Sequence, residues 1–167
     1  KPYRIASILI LTLIMGSLCL PGKPAQAQSS APVEAGVFLA LEAAPGTVIE
    51  APVQIRNASQ VYAIDIELQF DPAVLAAEDA NPSSAGIQMG FGEFLDPGLA
   101  LFNEVDLEKG IARFAVSQIN PSEPKSGDGV LFVIYFVGLK EGVSPLTVTN
   151  LQVASREGDE IASSGVD

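Results

Sequence analysis

VYAIDIELQFDPAVL, residues 61–75, alternates strictly: Tyr62, Ile64, Ile66, Leu68 and Phe70 are apolar, and Ala63, Asp65, Glu67 and Gln69 fall between them. A period of two is that of a β-strand with one buried and one wet face. Asp71-Pro72 ends the ladder, because proline lacks a backbone donor and fixes φ, and Val74 and Leu75 bring the chain back under the sheet. The wet face is left with two neighbouring carboxylates, Asp65 and Glu67.

On either side the same punctuation recurs. Residues 36–59, GVFLALEAAPGTVIEAPVQIRNAS, give two apolar-alternating runs parted by Pro45-Gly46. Pro52 predicts an edge or bulge in the second run, and 57–60, NASQ, predicts the next turn. Residues 76–98 show no sustained period and read as a long loop packed through Ile87, Met89, Phe91 and Phe94. Residues 99–118 read as a hairpin turning at Asp106 to Gly110. VLFVIYFVGL, 130–139, is almost continuously apolar, which predicts a strand covered on both faces. Further strands are expected in 143–155 and around Ile161. No stretch after residue 36 has a helical period, so the expected fold is all-β: a two-sheet antiparallel sandwich of about nine strands.

The first 27 residues read as an export signal, incomplete at its start. Lys1 and Arg4 precede the apolar run IASILILTLIMGSLCL, residues 5–20, which is shorter than the roughly 18 residues of a membrane span. Ala25-Gln26-Ala27 then supplies small residues for cleavage after Ala27, with an uncleaved anchor as the alternative. Leu18 before Cys19 argues against lipidation, and removal of Cys19 leaves a chain without thiols, so no disulfide or thiolate metal site contributes to it. The expected product is secreted or displayed at the cell surface. Residues 28–35 read as a flexible linker, 36–162 as the sandwich and 163–167 as the start of a further linker or a truncated end.

Charge and composition narrow the function. The chain has 9 basic and 20 acidic residues; without Lys1, Arg4 and Lys23 the balance is six against twenty, or −14. Such a field repels nucleic acid and anionic lipid, so neither is an expected partner, and no membrane contact is expected beyond the export signal. With no histidine and no mature cysteine, most nucleophile–base catalysis and the common zinc geometries are excluded. Asp65 and Glu67, about 7 Å apart on one strand face, lie within the range of glycosidase carboxylate pairs, but a wet strand face normally pairs such groups with a cross-strand base such as Arg113. The enzyme reading is set aside.

Asp106, Glu108, Asp128, Asp159 and Glu160 fall in turns without the spacing of a calcium loop, and no glycine run is followed by Gly-Lys-Ser or Gly-Lys-Thr, so neither a metal nor a cofactor is assigned. Asn57-Ala58-Ser59 fits the glycosylation acceptor pattern, a frequent chance match.

GTVIEAPVQI at 46–55, VYAIDIELQFDPAVL at 61–75, GIARFAVS at 110–117 and GDGVLFVIYF at 127–136, in that order and spacing, resemble the cohesin domains of cellulosomal scaffolding proteins over roughly residues 36–162. The resemblance implies a jelly-roll sandwich and a non-catalytic module that binds a dockerin-type domain through one sheet face, in polysaccharide degradation or at a cell surface. It also implies a partner-binding set: Asp65, retained from the family; Ala63, where the family usually has asparagine; Ser117, near an expected acidic residue; with Glu67 and Arg113 beside them. A carbohydrate-binding module of the same architecture, or a structural spacer, is the alternative. Trp is absent and most Phe and Tyr fall on core-facing or loop positions, whereas sugar-binding faces use exposed aromatic rings.

Overall fold

The computed structural model describes residues 31–38, 42, 44–96 and 98–167. The export signal and cleavage site therefore lie outside the described residues. In chain order the strands are β1 (Val33–Gly36), β2 (Val48–Val61), β3 (Ala63–Gln69), β4 (Leu75–Glu78), β5 (Gly90–Phe91), β6 (Leu99–Asp106), β7 (Ile111–Ser117), β8 (Lys125–Gly138), β9 (Thr147–Ala154), β10 (Glu160–Ile161) and β11 (Ser163–Val166). No helix occurs among the described residues. One sheet runs β11-β1-β2-β8-β4, with β5 also on β8, and the other runs β10-β9-β3-β7-β6; every pair is antiparallel except β1 with β11. The architecture is the expected jelly-roll sandwich, with eleven strands among the described residues where about nine are expected.

The alternation in 61–75 sets the interior. Ile64, Ile66, Leu68 and Phe70 are buried, facing Phe132, Ile134 and Phe136 of β8 and Val53 and Ile55 of β2. Aromatic contacts join the layers: Phe114 of β7 stacks on Phe132 at 4.5 Å, and Phe70 meets Phe136 edge-on at 5.1 Å. Burying a side chain of this size contributes roughly 1.5–3 kcal/mol. The Asp71 carboxylate caps its own turn by accepting from the Ala73 amide at 2.8 Å, as the Asp-Pro punctuation predicts.

Four expectations about the strands are corrected. NASQ is no turn: β2 continues through it as a bulged strand, with Asn57 and Gln60 at φ 56° and 57° and register shifts either side of Ala58. The stretch 76–98 contains most of β4 and all of β5, and Phe91, although its ring packs edge-on against Phe114, stays 53% exposed. Strand β8 begins at Lys125 and alternates; Val133, Tyr135 and Val137 are only half-covered, so one of its faces is open. Finally, the folded unit exceeds 36–162. Val33–Gly36 is a strand rather than linker, and Ser163–Val166 pairs with it residue for residue. Pro52 is accommodated because β1 pairs only with Gln54, Ile55 and Arg56 and stops short of it.

Candidate functional site

The outer face of the five-stranded sheet holds all five residues singled out in the sequence. Register places them in rows across adjacent strands. One row is Leu99, Ser117, Ala63 and Ala154; the next is Phe102, Ala115, Asp65 and Gln152; the third is Glu104, Arg113, Glu67 and Asn150. Because β3 is central, the odd-numbered residues that alternation turns outward land in the middle of the face.

Arg113 stands directly opposite Glu67 but turns diagonally to Asp65, with Nε donating to Oδ1 at 3.2 Å and Nη2 to Oδ2 at 2.8 Å. This fork matches the planar carboxylate, and the hydrogen bond to Asp65 raises the guanidinium pKa above its ordinary value. The same guanidinium covers the Phe102 ring, 3.8 Å from its centroid. Glu67 instead accepts from the Thr149 hydroxyl at 2.8 Å, and the Ser117 hydroxyl donates to the neighbouring Gln118 carbonyl at 3.0 Å. The expected cross-strand ion pair therefore exists for Asp65 and not for Glu67.

Beside Asp65 the face dips. Ala63, Ala115 and Ala154, one from each of three neighbouring strands, line a shallow depression of about 250 Å³ bordered by Leu101, Phe102 and Gln152. Sequence reasoning missed the apolar border. Leu99, Leu101 and Phe102 are 55%, 62% and 38% exposed, on the edge strand β6. The signal was present in LALF, four apolar residues in a row. A half-buried strand has no use for four, but the turn chemistry at Asp106 to Gly110 marks the run as one arm of a hairpin without saying which face it exposes. The bulge between Ala100 and Phe102 turns the extra side chain outward.

Asp106, Glu108, Asp128, Asp159 and Glu160 do not converge. Among the described residues no group of three or more His, Cys, Asp or Glu is placed to hold a metal ion. No helix of the described residues is long and apolar enough to cross a membrane.

The family model for the cohesin domain matches residues 38–166. No curated protein matches the chain. Among solved structures, a type II cohesin domain from the cellulosome of Acetivibrio cellulolyticus is 20% identical, with TM-score 0.65 over 81% of this chain and 91% of that one. A non-cellulosomal cohesin from the archaeon Archaeoglobus fulgidus is 24% identical, with TM-score 0.61 over 80% and 84%. The cohesin of a type I cohesin–dockerin complex from Clostridium thermocellum is 19% identical, with TM-score 0.65 over 81% and 95%. These likenesses fix the sandwich, and the match along residues 38–166 assigns it: the chain belongs to the cohesin family.

Proposed function

We propose that this protein is a non-catalytic, extracellular adhesion module that binds a dockerin-type domain through the outer face of its β10-β9-β3-β7-β6 sheet. One observation carries the reading: a fixed polar centre, Asp65 held by Arg113, lies beside an exposed apolar border of Leu99, Leu101 and Phe102. Protein interfaces combine these parts, an apolar patch that loses water on contact and a few placed polar groups that set register. Family membership supports the class of partner, since related cohesins have been solved in complex with dockerins. The export-type leader supports an extracellular setting.

A polysaccharide reading of this face finds no support. Phe102 is its exposed aromatic residue, and Arg113 already occupies the ring face that a sugar would need.

The test is surface plasmon resonance against dockerin-type modules encoded in the same genome. Asp65→Ala strands the Arg113 guanidinium at the interface and is expected to weaken binding by at least about tenfold, mainly through a faster off-rate. Unchanged affinity in this variant would count against the proposed face.

A further inference from the structure

The depression beside Asp65 has a floor and walls of different chemistry. Ala115 stands between Asp65 and Phe102 in one cross-strand row and is 3% exposed, while Ala63 and Ala154 stand side by side in the next row. Outward positions on these strands tolerate long side chains, and a methyl group at all three lowers the surface where the strands meet. Leu101 and Phe102 rise on the β6 side and Gln152 on the β9 side. The walls are held from within: the Arg113 guanidinium covers the Phe102 ring at 3.8 Å and clamps both Asp65 oxygens, so the hollow keeps its shape when empty.

Size and polarity select what fits. At about 250 Å³ the hollow is smaller than the roughly 300–1,000 Å³ of pockets that enclose free small molecules, yet several times the ~30 Å³ share of one water. That is room for one side chain offered by a neighbouring surface. The Asp65 oxygens are engaged by Arg113 and the Ser117 hydroxyl donates to the Gln118 carbonyl, which leaves methyl groups and the exposed Leu101 and Phe102 facing inward. Water gains little there, and an apolar group displaces it favourably. Roughly 7 Å along the strands the next row reads Glu104, Arg113, Glu67. The Arg113 pKa is raised first by the Asp65 hydrogen bond and also by the charges of Glu67 and Glu104, so both carboxylates lie within its field. With Arg113 neutralised by Asp65, that row is net negative.

We propose that the partner seats one apolar side chain in the hollow between Ala63, Ala115 and Ala154 and sets a lysine or arginine against Glu67 and Glu104, which makes the three alanines specificity-determining residues. The inference rests on the reading of this sheet as the dockerin-binding face and adds the chemistry that the dockerin-type module must present. A preformed apolar hollow is where binding energy concentrates in an interface. It also discriminates, because a polar or charged side chain seated there is desolvated against methyl groups without a hydrogen-bond partner. The acidic row orients the approach by charge complementarity.

Surface plasmon resonance against the dockerin-type modules of the same genome tests it. Ala63→Leu fills the hollow with Asp65 and Arg113 in place and is expected to weaken binding by at least about tenfold, whereas the same change on the opposite sheet, Ala76→Leu, leaves it unchanged. Glu104→Gln should slow association and reduce its salt dependence. In an alanine scan of the bound module, one apolar residue should cost about tenfold against the wild type and little against Ala63→Leu, the coupling expected of a side chain in the hollow. Thermal melts establish that Ala63→Leu is folded, and Ala154→Leu carries the test if it is not. Binding that survives Ala63→Leu but falls with Asp65→Ala overturns the hollow and leaves the face standing. Binding that survives both, or no binding by any module, overturns the face and the hollow with it, and coupling to a polar residue of the module overturns the hollow alone.

Discussion

Asp65 and Glu67 differ by two positions in one strand and meet different fates, because long-range register decides what each can reach. Alternation alone places both on the wet face. It does not say that Arg113 will choose the diagonal carboxylate or that Thr149 will serve the other. What the sequence makes legible at this scale is therefore which way a side chain points, and what stays hidden is its partner. A second ion pair shows how charge couples to stability. The Asp106 carboxyl lies below its ordinary 3.8 because the Lys109 ammonium, at 2.7 Å, and then the Lys109 amide hydrogen-bond to the charged form. Between that lowered value and 3.8 the unfolded chain binds more protons than the folded one, so stability rises with pH there. The contribution is complete above 3.8 and is lost as pH falls through the folded value. Thermal melts from pH 7 to pH 2.5 should show Asp106→Asn less stable than the wild type at neutral pH, the two curves converging in acid; a constant offset would refute the assignment.

Single elements were legible where one physical demand dominated. β3, the β6–β7 hairpin and the apolar half of β8 follow from periodicity and turn chemistry, and they form where expected. β2 was cut short because Asn57 and Gln60, which adopt positive φ, use the same residue chemistry in a bulge as in a turn. β4 and β5 are short and pair only with β8, so their identity is tertiary rather than local. The turn between β6 and β7 closes on Gly110, at φ 67°, where an added Cβ would sit 2.2 Å from the Phe70 carbonyl oxygen. The Gly110 carbonyl meanwhile accepts from the Phe70 amide at 2.8 Å. Gly110→Ala meets both backbone strain and a clash that no side chain can relieve, and should cost about 1–3 kcal/mol in urea unfolding, with the m-value unchanged. A loss well under 1 kcal/mol would show that the turn relaxes freely.

At the level of the whole molecule, the sandwich is closed by its last residues. β11 covers the free edge of β1, Gly165 lies against Val148 of β9, and the Asp167 carboxylate accepts from the Val148 amide at 2.8 Å, so the strand touches both sheets. The sequence hid this because SSGVD carries the composition of a linker. Its strand state comes from pairing, not propensity. Deleting residues 163–167 should lower the thermal midpoint and promote self-association, since β1 becomes an unprotected edge. Light scattering and calorimetry would report both effects, and an unchanged midpoint would assign β11 no structural role. On the five-stranded sheet, one guanidinium serves two masters, clamping a carboxylate with its edge and shielding a phenyl ring with its plane. A domain docking on this face, as we propose, would meet side chains that have already surrendered their rotational freedom, and little of the association energy would be diverted into arranging them.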